Sequence, residues 1–193
     1  MKLILASTSP YRRAQLERLG VPFEARAPLC DEQALKKQFV QLTPKELAEA
    51  LAEAKAASLC STVPDATLIG GDQLACLNGT ILDKPGTHAR ALEQLAQLSG
   101  HTHELITAIA VWSAGRWIKH TDVTKLGMRH LSAEQIERYL RADQPYDCAG
   151  SFKLEQRGMA LFEKIESEDH SAVTGLPLLA LSRILIELGF PLP

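Results

Sequence analysis

The sequence of 193 residues lacks several features that define large classes of proteins. No apolar run approaches the roughly 20 residues of a membrane-spanning helix, which argues against an integral membrane protein. No strong excess of one charge is present either: the formal net charge is -2 at pH 7, so overall charge does not favour non-specific binding to DNA or RNA. The chain also has no internal repeat, low-complexity tract or clear linker, which excludes repeat architectures.

Cysteines are few, and they are scattered along the chain as Cys30, Cys60, Cys76 and Cys148. None belongs to a Cys-x-x-Cys pair, so a structural zinc site is not expected. A disulfide framework is equally unexpected in a chain this long with so few cysteines. The first residues also lack the long apolar stretch and the small-residue cleavage site of a secretory signal. These absences predict a cytoplasmic protein with reduced thiols.

The composition is that of a soluble globular domain, because 46% of the residues are hydrophobic and 23% are charged. Strand-like and helix-like segments are interspersed. Asn78-Gly79 is a strong hairpin signal, and Ala114-Gly115 indicates a second hairpin because it lies between two strand-like runs. This pattern favours an α/β fold with a mixed sheet and flanking helices over a purely parallel sheet. Strands are predicted at residues 2–6, 21–27, 67–77, 103–113, 116–128 and 159–165, and helices at 11–20, 43–61, 87–98, 132–142 and 175–189, while 28–42 is ambiguous and 144–158 is loop-like.

The amino end joins an apolar strand to the hydroxyl residues Ser7 and Ser9, to Pro10, and to the arginines Arg12 and Arg13. An amphipathic helix follows, so these residues lie where the N–H groups of a helix start have no backbone partner. Such an arrangement suits a polyanion such as a triphosphate. The alternative is an ordinary helix cap, with Ser9 at the N-cap and Pro10 at the first helical position. The local sequence leaves both interpretations open.

Asp72 is the first candidate for chemistry. It follows Gly70-Gly71 within an apolar strand, where an uncompensated buried carboxylate is costly. The two glycines allow another group to approach the backbone closely. The structural alternatives are a carboxylate paired with a core lysine or arginine, and a β-bulge with an exposed tip.

Three further charged residues extend this set. Glu32 lies in a predicted loop, Lys55 on a predicted helix, and Lys84 in the turn Asp83-Lys84-Pro85. Taken singly, each is expected to be a solvated surface charge. Together with Asp72 they offer carboxylates for a divalent cation and ammonium groups for phosphate oxygens, which is what phosphoanhydride hydrolysis requires.

Five motifs occur in a joint order and spacing that is more specific than any one of them: Ser7-Thr8-Ser9-Pro10-Tyr11-Arg12-Arg13, Asp31-Glu32, Gly70-Gly71-Asp72-Gln73, Asp83-Lys84-Pro85 and Cys148-Ala149-Gly150-Ser151-Phe152. The set spans nearly the whole chain and resembles the Maf nucleotide pyrophosphatases. The tail Gly175-Leu176-Pro177 is also similar to the closing segment of that family. The resemblance implies a single domain over residues 1–193, with the elongated two-lobed α/β fold shared with inosine triphosphate pyrophosphatases and a central cleft. It also implies a homodimer.

The resemblance further implies hydrolysis of a nucleoside triphosphate to the monophosphate and pyrophosphate, with Mg²⁺, Mn²⁺ or Co²⁺ as the divalent metal cation. By the same resemblance, Asp72 is the general base that activates water, and Glu32 and Asp72 bind the metal. The implied phosphate-binding residues are Ser7, Arg12, Arg13, Lys55 and Lys84.

Three positions depart from the thymidine/uridine type of Maf protein, which usually has arginine, threonine and glutamine where this chain has Tyr11, Gln73 and Glu155. The pattern resembles the subgroup that hydrolyses 7-methyl-GTP. N7-methylation makes guanine cationic, so stacking on Tyr11 gains about 1 kcal/mol of cation–π stabilisation. The Glu155 carboxylate can accept from the guanine N1–H and exocyclic amine, and Gln73 can contact the base or sugar as donor or acceptor. Taken singly, Tyr11 can instead pack on the core, and Glu155 can be a solvated loop charge.

Other functions stay open beside the hydrolysis of 7-methyl-GTP, for which one role is the clearing of modified nucleotides. The chain can be a pyrophosphatase for dTTP, UTP or other nucleotides. It can also be a nucleotide-binding regulator of cell division without turnover, since the family has a historical association with septum inhibition. In each case the expected partner is a small-molecule nucleotide, with no nucleic acid and no membrane.

His101 and His103 lie two residues apart on one face of a predicted strand. Metal binding is one interpretation, and a half-exposed strand pair is the favoured one.

Overall fold

Seven strands form one mixed sheet in the computed structural model, which describes residues 1–192. The strands are β1 (Lys2–Ala6), β2 (Glu24–Arg26), β3 (Ala66–Leu77), β4 (Thr80–Leu82), β5 (Thr102–Ser113), β6 (Arg116–Met128) and β7 (Phe162–Glu166). Their order is β2-β1-β3-β5-β6-β7, with β4 paired to β3. Strand β1 is parallel to β2 and β3, whereas the β3–β4 and β6–β7 pairs are antiparallel. The mixed sheet confirms the predicted α/β class, and both predicted hairpin turns join neighbouring strands.

Six α-helices accompany the sheet within residues 1–192: α1 (Pro10–Glu17), α2 (Glu32–Gln38), α3 (Pro44–Ala57), α4 (His88–Leu98), α5 (Ala133–Asp143) and α6 (Leu178–Glu187). Short 3-10 segments occur at Ala149–Ser151, Arg157–Leu161 and His170–Thr174. Helices α3 and α5 each begin at a capping box, in which Thr43 and Ser132 exchange hydrogen bonds with the residue three positions on. The starts of α3 and α5 could therefore be predicted from the sequence.

The chain divides into two compact units. The first unit contains residues 1–73, 107–122 and Asp169 onward, and the second contains residues 74–106 and 123–168. Strands β3, β5 and β6 each contribute residues to both units. The single domain with two lobes and a cleft stays a prediction.

The core of the first unit is apolar on both sides of β1, because successive strand residues point to opposite faces. One cluster joins β1 to helices α1 and α6 through Leu3, Leu5, Leu16, Leu181 and Leu185. The other cluster joins β1 and β3 to the end of α3 through Ile4, Ala6, Ala56, Leu59 and Leu68. Helices thus cover both faces of this part of the sheet, which fixes the end of β1 against the middle of β3.

The aromatic core of the second unit surrounds His103. This residue is 1% exposed, so the prediction of a half-exposed pair with His101 is wrong. Its ring packs against Phe152 and Phe162, with centroids 5.4 and 5.8 Å away. Neither ring nitrogen has a hydrogen-bond partner among residues 1–192, and burial lowers the pKa of His103 to about 4.

The segment that was ambiguous in the sequence contains α2. The side chain of Asp31 accepts from the N–H groups of Gln33 and Ala34 and so caps this helix. Glu32 was predicted to lie in a loop, and this is wrong because it is the first residue of α2.

Two other helix boundaries differ from the prediction, the end of α1 and the start of α6, and a glycine with positive φ lies near each of them. Helix α1 ends at Glu17, ahead of the turn at Gly20, where φ is 68°. Helix α6 begins at Leu178, after Gly175, where φ is 117°. In both places glycine lies in a turn outside the helix.

Across residues 1–192, no helix combines the length and the apolar character needed to cross a membrane.

Candidate active site

Lys55, in the last turn of α3, donates to two carboxylates of the first unit. Its Nζ lies 2.6 Å from Oδ1 of Asp72 and 2.8 Å from Oε2 of Glu32. Lys36 contacts the other oxygen of Glu32 at 3.4 Å. Taken singly, Lys55 was expected to be a solvated surface charge. This is wrong, because Lys55 is buried, as is Asp72. The fold therefore brings together three candidate residues that are far apart in the sequence.

The close approach of α3 to β3 depends on Gly70. A Cβ atom at this position would lie 2.0 Å from the carbonyl oxygen of Ala52 and 2.9 Å from the backbone nitrogen of Ala56. Both contacts are to the backbone of α3, so no side-chain rotation relieves them. Gly70 thus allows the helix to lie against the strand and brings Lys55 to Asp72.

Asp72 is paired with a core lysine, which is one of its two structural alternatives to a catalytic role. Only one of its two carboxylate oxygens takes part in this pair. The other, Oδ2, is buried and has no hydrogen-bond partner among residues 1–192. Because an unpartnered buried oxygen is costly, it is the atom that gains most from a water or a cation. This oxygen is the feature that a purely structural ion pair does not explain.

The pKa of Glu32 reflects opposing influences. Burial is the largest single influence and raises the pKa, but the charges and hydrogen bonds of Lys55 and Lys36 together outweigh it. The pKa of Glu32 therefore lies below its ordinary value, and the side chain is anionic at neutral pH.

Asp72 and Glu32 are the two carboxylates at which a divalent cation is predicted. No cluster of three or more His, Cys, Asp or Glu suited to a metal occurs within the described residues 1–192. Mg²⁺, however, is commonly bound by one or two carboxylates, with substrate phosphates and waters completing its shell. Asp72 and Glu32 supply oxygen donors of this kind around Lys55, and Oδ2 of Asp72 has no competing donor.

The amino-end motif forms the helix cap that was one of its two interpretations. Oγ of Ser7 accepts from the N–H of Ser9 at 3.1 Å, and Oγ of Ser9 accepts from the N–H of Arg12 at 3.4 Å. Pro10 occupies the first position of α1. Ser7 is buried and donates its hydroxyl proton to no group among residues 1–192, so a phosphate oxygen can accept it. Anion binding at this motif stays a prediction.

The Arg12 side chain reaches the tail motif of the chain. Its Nε donates to the carbonyl oxygen of Gly175 at 3.1 Å. Burial lowers the pKa of Arg12, and the nearby charges of Asp72 and Glu32 oppose that effect. The guanidinium therefore lies within electrostatic range of both carboxylates.

The neighbouring residues of α1 differ in exposure. Arg13 is exposed and pairs with Glu17 across 3.4 Å on the surface of the same helix. Tyr11 is half-buried. The phosphate-binding role of Arg13 and the base-stacking role of Tyr11 stay predictions.

The Gln73 side chain is held by its amide nitrogen. Nε2 donates to Oγ1 of Thr107 and to the carbonyl oxygen of Ala172, each at 2.9 Å, and to the carbonyl oxygen of Val173 at 3.1 Å. Thr107 in turn donates to the carbonyl oxygen of Ala172 at 3.0 Å. Gln73 lies next to Asp72 in β3, and its partners all belong to the first unit.

Lys84 belongs to the second unit and is exposed between β4 and α4. The backbone beside it is anchored on both sides. The carbonyl oxygen of Asp83 accepts from Nε2 of Gln94 at 2.8 Å, and the N–H of Gly86 donates to the carbonyl oxygen of Tyr146 at 2.9 Å. The exposed lysine thus stands on a fixed turn.

Glu155 also belongs to the second unit and is exposed at the tip of a short loop. The N–H of Lys153 donates to the hydroxyl of Tyr139, and the N–H of Arg157 donates to Oδ2 of Asp143, each at 2.9 Å. The Arg157 guanidinium adds a bond of 2.8 Å to the other oxygen of Asp143. Helix α5 therefore fixes this loop on both sides of Glu155.

Three of these supporting residues were not predicted: Thr107, Tyr139 and Asp143. Thr107 could have been identified from the sequence, since it is the one polar residue in the apolar run from Leu105 to Val111. Tyr139 and Asp143 could not have been identified in this way, because they look like ordinary residues of an amphipathic helix.

A family description, "Maf-like protein", matches residues 2–188, and the chain belongs to the Maf family. Named relatives align along almost the whole chain. A 7-methyl-GTP pyrophosphatase of Bdellovibrio bacteriovorus is 50% identical over 184 residues, which are 95% of each chain. One of Xanthomonas axonopodis pv. citri is 47% identical over 192 residues, covering 100% of this chain and 99% of its own. One of Paraburkholderia xenovorans is 45% identical over 193 residues, covering 99% and 94%.

Proposed function

We propose that the protein is a nucleoside triphosphate pyrophosphatase that hydrolyses 7-methyl-GTP to 7-methyl-GMP and pyrophosphate. The observation that carries the proposal is the unpartnered, buried Oδ2 of Asp72, beside an oxygen that accepts from Lys55. The names of relatives at 45–50% identity support the choice of substrate. Tyr11, Gln73 and Glu155 fit a cationic purine, as their residue types imply.

In this mechanism Asp72 accepts the proton of the attacking water at Oδ2, while Lys55 holds Oδ1 and fixes the carboxylate. Ser7 and Arg12 lie on the amino-end motif, where they donate to phosphate oxygens. We assign Arg13 and Lys84 to the same task from the family resemblance. Asp72 and Glu32 would hold Mg²⁺, Mn²⁺ or Co²⁺, which when bound stabilises negative charge on the phosphates.

Asp72→Asn tests the role of the carboxylate. The amide oxygen still accepts from Lys55, so the fold and nucleotide binding are retained, but the base is lost. At saturating Mg²⁺ we expect kcat to fall by at least about 100-fold, with little change in the Kd of 7-methyl-GTP. Asp65→Asn, on an exposed acid, is the control and should behave as wild type. Normal turnover by Asp72→Asn would contradict the role of Asp72 as the base. Wild-type protein that binds 7-methyl-GTP without releasing pyrophosphate would support the alternative function, a nucleotide-binding regulator of cell division.

The metal requirement has its own test. We expect EDTA to abolish turnover and Mg²⁺ to restore it. Glu32→Gln, which keeps a neutral oxygen ligand, should raise the Mg²⁺ concentration for half-maximal rate by about 10-fold. Glu163→Gln, on an exposed strand residue, is the control. Full activity in EDTA would contradict the metal proposal.

We also propose that the protein works in the cytoplasm as a homodimer. No disulfide joins the four cysteines within residues 1–192, which supports a reducing compartment, and the family resemblance supports the dimer. Light scattering after size exclusion should give twice the chain mass, whereas a monomer that is fully active would contradict the dimer.

A further inference from the structure

The environment of Gln73 determines which end of its amide points inward. Two of the three atoms around Nε2 are backbone carbonyl oxygens, those of Ala172 and Val173. Carbonyl oxygens only accept hydrogen bonds, so the group that faces them is the NH₂ of the amide and not its oxygen. The orientation thus follows from the chemistry of the neighbours.

Thr107 completes this arrangement. Its hydroxyl proton goes to the carbonyl oxygen of Ala172, 3.0 Å away, which leaves Oγ1 to accept from Gln73 at 2.9 Å. Thr107 is 1% exposed, so water does not compete for these bonds. The hydroxyl therefore acts in one direction only, as an acceptor toward Gln73.

The segment that carries the two carbonyl groups that face Gln73 is held by hydrogen bonds at the residues on either side of them. The carbonyl oxygen of Ser171 accepts from Nε2 of Gln15 at 2.6 Å, and that of Gly175 accepts from Arg12. The buried Asp169 accepts from both the N–H and the hydroxyl of Ser171. The segment from 171 to 175 is thus fixed at both ends and presents its middle carbonyls to Gln73.

One polar atom of Gln73 remains. Both amide N–H groups are used inside the first unit, and Oε1 has no hydrogen-bond partner among residues 1–192. The side chain is half-buried, so it has an open side. What Gln73 offers to a ligand is therefore an acceptor, although glutamine could in principle offer either polarity.

We propose that Thr107 is a positioning residue for substrate selection, which fixes Gln73 so that Oε1 accepts a hydrogen bond from an N–H or O–H of the nucleotide. This inference rests on the proposed function. Suitable donors are the N1–H or exocyclic amine of guanine and the hydroxyls of ribose. The contact lies away from the reacting phosphates, so it acts on substrate binding and hence on KM more than on kcat.

The first experiment measures the orientation in the free protein, without any turnover. We expect the Nε2 protons of Gln73, assigned by their loss in Gln73→Met, to exchange with solvent at least about 10-fold more slowly than those of exposed Gln156. Thr107→Ser should keep this protection, and Thr107→Val, which has the same shape without the hydroxyl, should reduce it. Exchange as fast as in Gln156 would overturn the proposal.

The second experiment identifies the donor. Wild type is compared on 7-methyl-GTP, 7-methyl-ITP, which lacks the exocyclic amine, and the 2′-deoxy and 3′-deoxy forms of 7-methyl-GTP. We expect the analogue that lacks the donor to raise KM by about 10-fold in wild type and to have no further effect in Gln73→Met. A higher KM with 7-methyl-ITP assigns the exocyclic amine, and a higher KM with a deoxy form assigns that hydroxyl. Unchanged KM with all three assigns N1–H only if Gln73→Met raises KM for 7-methyl-GTP, and otherwise overturns the proposal.

The variants separate positioning from a general structural role. In Thr107→Val the difference in KM between 7-methyl-GTP and the analogue that lacks the donor should be smaller than in wild type. Thr107→Ser should keep the wild-type difference, and kcat should be unchanged in both variants. Equal KM values for 7-methyl-GTP in wild type and Gln73→Met would overturn the proposal. A wild-type protein that does not hydrolyse 7-methyl-GTP would instead contradict the proposed function, while the exchange experiment would still decide the orientation of the amide.

Discussion

Nζ of Lys55 donates to Oδ1 of Asp72 across 2.6 Å, and both side chains are almost completely removed from water. Each charge compensates the other in a region where an isolated charge is costly. Lys55 therefore has two tasks, since it balances the candidate base and also holds the carboxylate in one orientation. Loss of either residue leaves a buried charge with fewer partners.

Replacement of Lys55 by methionine should destabilise the protein. The variant keeps an unbranched side chain of nearly the same length but leaves Asp72 buried without its ammonium partner, so we expect the free energy of unfolding to fall by about 3–5 kcal/mol. Urea denaturation followed by circular dichroism measures this change. Lys45→Met, on an exposed residue of α3, should change it by less than about 0.5 kcal/mol. A loss below about 1 kcal/mol in Lys55→Met would mean that the pair is weak or hydrated.

The two adjacent glycines of β3 should respond differently to alanine. At Gly70 the new Cβ meets the backbone of α3 at 2.0 Å, so we expect Gly70→Ala to lose about 3 kcal/mol or more of stability. At Gly71 the nearest atoms are side-chain atoms of Leu176 and Arg12, at 3.3 and 3.4 Å. Gly71→Ala should therefore cost about 1 kcal/mol or less, because side chains can shift. Equal losses in thermal unfolding would contradict the close approach of α3 at Gly70.

Asp143→Asn should weaken substrate recognition through the loop that carries Glu155. The variant loses the charge that holds the guanidinium of Arg157, and the loop is then anchored mainly through Tyr139. If Glu155 binds the base, KM for 7-methyl-GTP should rise by about 10-fold with kcat unchanged. Steady-state kinetics measure this split. A fall in kcat at constant KM would place the effect on the chemistry and contradict the assignment.

Stability should decrease in acid because of His103. Its pKa of about 4 in the folded protein lies below its ordinary value of 6.5, so the unfolded chain binds the proton first. The contribution of this residue to stability is therefore complete above about pH 6.5 and decreases by about 3 kcal/mol as the pH falls toward 4. Urea denaturation at pH 7.5 and pH 5 measures the slope. His103→Leu should flatten it and His101→Leu should not, and equal slopes in all three proteins would contradict the buried neutral imidazole.

Features that depend on local chemistry could be predicted from the sequence. The turn at Asn78-Gly79 follows from residues that adopt positive φ readily, and the turn at Ala114-Gly115 follows from its glycine; all four residues have positive φ in the structure. The helix starts at Thr43 and Ser132 follow from capping side chains. The start of α2 at Glu32 was missed although Asp31 carried the same kind of signal, because the segment has no strong apolar period.

Features that depend on tertiary packing could not be predicted in this way. Burial of Lys55 results from the approach of α3 to Gly70, a contact between residues that local patterns do not connect. The amide orientation of Gln73 results from carbonyl groups about a hundred positions further along the chain. Residue types thus indicated the candidate chemistry, while three-dimensional contacts decided which atoms are available for it.

The most direct test of the central claim is the rate of pyrophosphate release from a panel of triphosphates with Mg²⁺, Mn²⁺ and Co²⁺. The panel contains 7-methyl-GTP, GTP, dTTP and UTP, and the nucleotide product is identified in each case. We predict that 7-methyl-GTP gives 7-methyl-GMP and pyrophosphate, with kcat/KM at least about 10-fold above that of GTP, because unmethylated guanine lacks the positive charge. Equal kcat/KM for GTP, or release of phosphate in place of pyrophosphate, would contradict the account.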